Sequence, residues 1–206
     1  GTFKAAAGAS DCIPVPAGSV GLTATNAAAT ADVAGADRVS ACPAGTYKTT
    51  AGDNDCVNVP AGSVGRVANT GTTFTANEAG AVYTKLCVVD TFRVAASVGT
   101  SAGCVALANG QQAQVLGTGS VYAASGAAFA VDCIAGYWNG DNTGACDIVP
   151  AGSVGLTAAN AAATASAVKA TVLSACPAGT FKAAAGASDC IPVPAGSVGL
   201  KVTSAA

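Results

Sequence analysis

A repeated stretch that combines cysteine with Pro-Ala-Gly turns limits the possible folds of this chain more than any other feature. Its clearest copy runs from Cys42 to Gly65 and carries two Pro-Ala-Gly turns, one after a cysteine and one after a valine. Related stretches recur along the chain, and residues 179–200 repeat residues 1–22 without a single difference. Repetition at a period of roughly 45 residues predicts a repeat protein, in which each unit is stabilised by packing on its neighbours.

The repeat divides the 206 residues into five segments. These are a partial repeat at 1–41, a repeat at 42–86, a divergent repeat at 87–132, a repeat at 133–175 and a partial repeat at 176–206. Because the identical copy at 179–200 lies four units after 1–22, we expect a longer array with a four-unit super-repeat, of which this chain is a window.

Within a unit, a short cysteine-bounded loop is followed by a longer arm. The Gly-Thr-Phe/Tyr-Lys segments of the loops suit short strands, and the Gly-rich segments after them suit turns. The arm beginning at Asn160 could form a helix on its alanine content, with Asn160 as the N-cap. The equivalent arm from Thr70 is rich in threonine and broken by glycine, which favours strands. Since equivalent units should share a fold, we predict an all-β, elongated, disulfide-stapled rod with few or no helices.

Nine cysteines alternate between long and short separations, about 30 and about 14 residues. They are Cys12, Cys42, Cys56, Cys87, Cys104, Cys133, Cys146, Cys176 and Cys190. No pair has the two-residue gap of a zinc knuckle or a thioredoxin-like motif, so structural disulfides in an oxidising compartment are expected. Pairing across the short loops and pairing across the long arms both stay open, because doubling a loop costs only about 0.6 kcal/mol of closure entropy.

The composition excludes several classes of function. Charged residues are only 10% of the chain, the net charge is −2 and there is no histidine. We therefore expect no nucleic-acid partner, no cofactor, no metal and no enzymatic activity. No apolar run approaches the roughly 20 residues of a membrane span. Gly52–Asp55 and Gly140–Asn142 resemble fragments of calcium loops, but we interpret them as polar turns beside disulfides.

The stretch Cys42-Pro-Ala-Gly-Thr-Tyr, followed after a glycine-containing segment by Cys56-Val-Asn-Val-Pro-Ala-Gly-Ser, resembles the cysteine-rich repeats of extracellular proteins. Ephrin-receptor-like and tumour-necrosis-factor-receptor-like modules and the immobilisation antigens of ciliates share this pattern. The resemblance covers the cysteine loops, about a third of the chain. It departs from the pattern where valines replace the family's third cysteine, at Val15, Val59, Val149 and Val193.

The resemblance implies short-loop disulfides. Carried along the internal repeat, it pairs Cys42 with Cys56, Cys87 with Cys104, Cys133 with Cys146 and Cys176 with Cys190. Cys12 would then pair with a cysteine outside this chain. An aromatic residue in each loop is expected to form a spine of packing between units, at Phe3, Tyr47, Phe92, Tyr137 and Phe181.

These features predict a structural protein of an extracellular filament or cell-surface coat. Its low-charge surface should associate with further copies of the chain or carry sugars. The chain contains no Asn-x-Ser/Thr sequon, so any glycans would be O-linked to Ser or Thr. The alternative is a surface recognition or antigenic module that binds a protein or glycan partner, with Gln111–Gln114 of the divergent repeat as the expected binding segment.

Overall fold

The computed structural model confirms the all-β prediction. It describes residues 1–24, 30–68, 76–95, 98–115, 122–123, 125–158 and 163–200, and within these ranges every regular element is a strand. The arm positions Asn160 and Thr70, from which we weighed helix against strand, lie outside the described residues. No described segment forms a helix long and apolar enough to cross a bilayer.

In the described ranges, eighteen strands form nine two-stranded sheets. In chain order they are β1 Thr2–Phe3, β2 Ile13–Pro14, β3 Ser19–Leu22, β4 Arg38–Ala41, β5 Thr46–Tyr47, β6 Val57–Asn58, β7 Ser63–Arg66, β8 Tyr83–Leu86, β9 Thr91–Phe92, β10 Val105–Ala106, β11 Gln111–Gln114, β12 Phe129–Asp132, β13 Tyr137–Trp138, β14 Asp147–Ile148, β15 Ser153–Leu156, β16 Val172–Ala175, β17 Thr180–Phe181 and β18 Ile191–Pro192. Each strand pairs with its neighbour in sequence, so the fold is a succession of hairpins.

Two hairpins alternate along the chain, a two-residue one in the loop and a four-residue one in the arm. In the first complete repeat, β5 pairs with β6 so that Tyr47 faces Val57. Strand β7 then pairs antiparallel with β8, and Ser63 faces Leu86. The Pro-Ala-Gly turn before β5 is closed by the Thr46 amide, which donates to the Pro43 carbonyl at 3.0 Å. The turn chemistry read from the sequence therefore sets where each hairpin begins.

The chain forms two compact units. One consists of Gly1–Val105 with Gln114–Phe129, and the other of Ala106–Ala113 with Ala130–Ala206. In the first unit, Val20 and Leu22 of β3 pack with Cys42 and Cys56, which follow in the next repeat. In the second unit, Val154 and Leu156 of β15 pack in the same way against the next disulfide, which joins Cys176 and Cys190. A disulfide thus supplies the apolar surface that the arm before it buries.

Three of the four valines at the family's third-cysteine position belong to the core, and Val193 is only partly buried. Val15, Val59 and Val149 are fully buried. A Cβ added to Gly65 would lie 3.0 Å from the Val59 Cγ2 atom and 3.0 Å from the Ala81 Cβ atom. Because this distance is tighter than ordinary van der Waals contact, the glycine allows valine and alanine to close over the strand. Apolar packing occupies the place where the resembling families have a further cross-link.

The predicted register of the aromatic residues is wrong in one repeat. Tyr47 bridges Ala81 and Phe92 bridges Ala127, but the third such bridge joins Trp138, not Tyr137, to Ala170. Trp138 is five residues after its cysteine, as are Tyr47 and Phe92. Each bridge joins two parts of the same repeat, and packing of the aromatic side chains between repeats stays a prediction.

Candidate functional site

Four disulfides close the loop hairpins. The pairs are Cys42–Cys56, Cys87–Cys104, Cys133–Cys146 and Cys176–Cys190. Their Cα atoms are 5.6 to 5.7 Å apart, within the range that suits a disulfide. The protein is thus cysteine-rich and disulfide-bonded, which indicates an oxidising, secretory environment. Cys12 is an exposed free thiol, and its pairing outside the chain stays a prediction.

Backbone hydrogen bonds join consecutive repeats in the first unit at Gly18 and its neighbours. The Gly18 amide donates to the Lys48 carbonyl at 2.8 Å, and the Cys42 amide donates to the Gly18 carbonyl at 2.8 Å. The Cys42 carbonyl in turn accepts from the Gly80 amide at 2.8 Å. The glycine of the second Pro-Ala-Gly turn therefore donates one hydrogen bond to the next cysteine loop and accepts one from it. We call this arrangement the repeat junction.

The same junction recurs at the other turns of both units. In the first unit, Gly62 exchanges hydrogen bonds with Arg93 and Cys87 at 2.7 Å each. In the second unit, Gly110 does so with Asn139 and Cys133, also at 2.7 Å each, although its turn lacks the Pro-Ala-Gly sequence. Backbone groups make these bonds, so the junction tolerates divergence of the side chains around it.

A buried hydrogen-bond donor lies beside each junction, six residues after the loop cysteine. We call it the donor position, and its residues are Lys48, Arg93, Asn139 and Lys182, exposed by 1%, 4%, 4% and 4% respectively. The equivalent residue at the start of the chain is Lys4, which is only partly buried. Lysine and arginine are rarely buried to this degree unless their donors are satisfied.

In the first unit the donor position carries a cation. The Lys48 Nζ atom donates to the Gly52 carbonyl at 2.7 Å and lies 3.5 Å from the Asp32 Oδ2 atom. Burial raises the pKa of the Asp32 carboxyl, but the Gly21 amide that donates to it, the amino terminus and Lys48 together hold that pKa below its ordinary value. The ion pair joins the arm of one repeat to the loop of the next.

Arg93 ties three segments of the first unit together. Its Nη1 atom donates to the Ser63 carbonyl at 2.6 Å and its Nε atom to the Ala102 carbonyl at 3.0 Å. The amide nitrogen of Asn77 donates to the same Ala102 carbonyl at 2.7 Å. Burial lowers the pKa of Arg93, but a guanidinium keeps its proton in proteins.

In the second unit the side chain at the donor position donates to the carbonyl of the first residue of the preceding four-residue strand, as Arg93 does in the first unit. The Asn139 side chain donates to the Gln111 carbonyl at 3.0 Å, and Lys182 donates to the Ser153 carbonyl at 3.0 Å. Burial lowers the pKa of Lys182, an effect that the Asp189 carboxylate partly opposes. Arg93, Asn139 and Lys182 therefore share a donor to a strand-start carbonyl, whether or not the donor is charged. Lys48 differs, because its donor bonds the Gly52 carbonyl of its own loop.

Exposed aliphatic side chains recur directly after the loop cysteines. This aliphatic set consists of Ile13, Val57, Val105 and Ile191, which are 51%, 51%, 54% and 53% exposed. In the repeat at 133–175 the same position is Asp147. A β-branched residue in a short strand suits the backbone, but its half-exposed side chain leaves apolar surface in contact with water.

The expected binding segment Gln111–Gln114 and the polar turn Gly52–Asp55 both make contacts within the fold. In Gln111–Gln114, the last residue is buried, and the Gln112 side chain accepts from the Cys146 amide at 3.1 Å. Gly52 supplies the carbonyl that binds Lys48. No three acidic or cysteine side chains converge as a possible metal site in the ranges that the structure describes. The Gln segment therefore offers few side chains to a ligand.

A surface cleft of about 430 Å³ lies beside Trp138 in the second unit. Its lining includes Trp138, Gly140, Asp141, Asp147 and Leu173. The cleft has no continuous motif in the sequence, because its residues come from a loop hairpin and from an arm strand. A cysteine-based alignment would have shown that Trp138 and Asp147 both depart from the other repeats.

Comparison with known proteins gives no family for this chain. No protein-family model matches it, and no curated protein matches it. What is shown is a tandem-repeat, disulfide-rich all-β protein of hairpin units.

Proposed function

We propose that the chain is a structural protein of an extracellular fibre or cell-surface coat and has no enzymatic activity. The repeat junction is the observation that carries this proposal. The same three backbone bonds recur at Gly18 and at Gly62, so each repeat offers its neighbour one standard contact. Such a contact can be continued indefinitely, which is how repeat proteins gain length.

The chemistry of the repeats suits a protein that must persist outside the cell. One disulfide closes each loop except the first, which carries the free Cys12, and each disulfide is expected to add about 2–4 kcal/mol to the free energy of unfolding. The resemblance to the immobilisation antigens of ciliates and to receptor cysteine-rich repeats supports a cell-surface setting.

The aliphatic set supports self-association. Val57 and its equivalents expose a similar apolar side chain at the same point of every repeat except the one at 133–175, which has Asp147 there. Exposed apolar surface that recurs with the repeat favours lateral contact with further copies of the chain. O-linked sugars on Ser and Thr are the alternative cover, and an intact mass equal to that of the bare polypeptide would exclude them.

Electron microscopy of the native, non-reduced protein tests the proposal. We expect fibres whose axial repeat corresponds to a small number of repeats, and bundles of such fibres. Replacing the aliphatic set by serine should abolish the bundles. Val67→Ser is the matched control, since Val67 is 50% exposed but lies outside the set. Monodisperse single particles of the native protein at high concentration would refute the structural proposal.

The cleft beside Trp138 favours a second function, recognition of a partner. It interrupts the repeat pattern at one place, which a purely structural array does not require. Monodisperse particles together with ligand binding at this cleft would favour recognition over assembly.

A further inference from the structure

The loop hairpin at Trp138 differs from its equivalents in its cross-strand pair. In the other hairpins of known register, an aromatic residue faces an aliphatic one, as Tyr47 faces Val57 and Phe181 faces Ile191. Here Trp138 faces Asp147. Aspartate is disfavoured in strands, and the aromatic–aliphatic pair of this hairpin lies one position along, where Tyr137 faces Ile148. Departures from locally favourable sequence concentrate at functional sites.

The cleft beside this pair is shaped by backbone as well as side chains. Its volume is about 430 Å³, and Asn139, Thr171, Val172 and Leu173 complete its lining with the residues named above. A Cβ atom at position 140 would lie 2.8 Å from the Trp138 Cζ3 atom and 2.8 Å from the Thr171 carbonyl oxygen. Glycine at 140 therefore lets the indole lie against the backbone at the wall of the cleft.

The charged side chains that line the cleft are both carboxylates. Asp141 and Asp147 are both exposed, and the described residues that line the cleft include no lysine or arginine. The Asp141 carboxylate accepts from the Thr143 amide at 3.1 Å, which holds the pKa of that carboxyl below its ordinary value. An indole and two carboxylates therefore border a space that holds no compensating cation of its own.

We propose that this cleft binds a compact organic cation, an ammonium or guanidinium group. Tryptophan is the side chain that attracts a cation most strongly through its ring, and the carboxylates of Asp141 and Asp147 add Coulomb attraction. A neutral sugar could stack on the indole and bond the carboxylates, but it carries no net charge for the two carboxylates to attract. The charge of the lining therefore selects the cation.

Trp138 is the single tryptophan of the chain, so its fluorescence reports on this cleft alone. Choline is the probe, and 3,3-dimethyl-1-butanol is its uncharged isostere. Glucose represents the carbohydrate alternative. With the native chain in low-salt buffer, we expect choline to change the emission saturably, and the isostere and glucose to have at least about tenfold weaker effects. Added salt should weaken the choline response.

Conservative variants separate the site from the fold. Asp147→Asn and Asp141→Asn should each raise the Kd for choline about three- to tenfold. Asp11→Asn removes an exposed carboxylate that does not line the cleft and should leave the Kd unchanged. Intact-mass analysis of the disulfides and far-ultraviolet circular dichroism check that each variant is folded. If one variant misfolds, the other still tests the proposal.

Three results would overturn the inference. One is the absence of a saturable response to millimolar choline. Another is an equal response to choline and to the uncharged isostere, which would indicate apolar binding. The third is a response to glucose that exceeds the response to choline, which would assign the cleft to carbohydrate. Assembly of the chain into fibres is a separate measurement, and its outcome does not affect these.

Discussion

Substituting the glycine of a repeat junction by alanine tests the junction directly. Gly62 has a φ of +73°, and a Cβ atom there would lie 2.0 Å from the Gly126 carbonyl oxygen. Gly152 has the same φ of +73° and the same Pro-Ala-Gly-Ser context, yet no described atom lies within 4 Å of its Cβ position. Gly62→Ala and Gly152→Ala are therefore a matched pair that differ in the close approach of a neighbouring backbone.

The expected magnitudes follow from two separate costs. Left-handed backbone at a non-glycine residue costs about 1–2 kcal/mol, and both variants carry this cost. Overpacking adds about 1–3 kcal/mol, and only Gly62→Ala carries it, since the Cβ atom meets backbone that cannot rotate away. We expect a loss of stability of about 1–2 kcal/mol for Gly152→Ala and about 2–5 kcal/mol for Gly62→Ala.

Amide hydrogen exchange by NMR measures each loss where it occurs. The Cys87 amide donates to the Gly62 carbonyl at 2.7 Å, and the Cys176 amide donates to the Gly152 carbonyl at 2.9 Å. Protection of Cys87 should fall by at least about fivefold more in Gly62→Ala than protection of Cys176 falls in Gly152→Ala. Equal losses of protection would show that backbone strain alone accounts for the glycines and would refute the close-packed junction.

Three further predictions concern the disulfides and two titrating groups. In urea unfolding, the free energy of unfolding of the double variant Cys42→Ala/Cys56→Ala should be about 2–4 kcal/mol lower than that of the native chain. Cys12→Ala should leave it unchanged because Cys12 is an exposed free thiol. Burial and the hydrogen bond to Asp90 raise the pKa of Tyr122 to about 12, so absorbance at 295 nm should show one late-titrating tyrosine that Tyr122→Phe removes. Burial lowers the pKa of Lys182 in the folded protein. At pH values between that lowered pKa and the ordinary lysine pKa, the unfolded chain therefore binds more protons than the folded protein does. Protection of the Gly152 amide, relative to that in Lys182→Met, should consequently rise as pH rises through that window.

The hairpins could be predicted from the sequence because local chemistry determines them. The Pro-Ala-Gly turns impose glycine at a positive φ, as at Gly62, and the strands that follow them are short and carry β-branched residues, which favour strands. The disulfide pairing was not available from local chemistry. Loop entropy did not separate the two pairings, and the short-loop choice rested on resemblance to other proteins.

The aromatic register was missed for a physical reason that the structure makes clear. In the repeat at 133–175 the threonine before the aromatic residue is replaced by Tyr137, which placed the first aromatic residue one position early. In a strand, a shift of one residue moves the side chain to the opposite face. Trp138 therefore occupies, in this repeat, the position that Tyr47 holds in the repeat at 42–86. Counting residues from the loop cysteine identifies it. The cleft beside Trp138 depends on the same position, so it could not be predicted while Tyr137 was taken as the equivalent residue.

The donor position shows why an invariant structural role can be invisible in a sequence. Lys48, Arg93, Asn139 and Lys182 differ in length and charge, and no single residue type identifies them as one position. What the fold requires is a donor to a buried carbonyl, because an unsatisfied carbonyl there would cost about 1–3 kcal/mol. The Asn139 amide meets that requirement for the Gln111 carbonyl at 3.0 Å without burying a charge. The buried lysine and arginine are therefore one solution among several, and their charge is a cost that the surrounding carbonyls and, at Lys48, the Asp32 carboxylate offset.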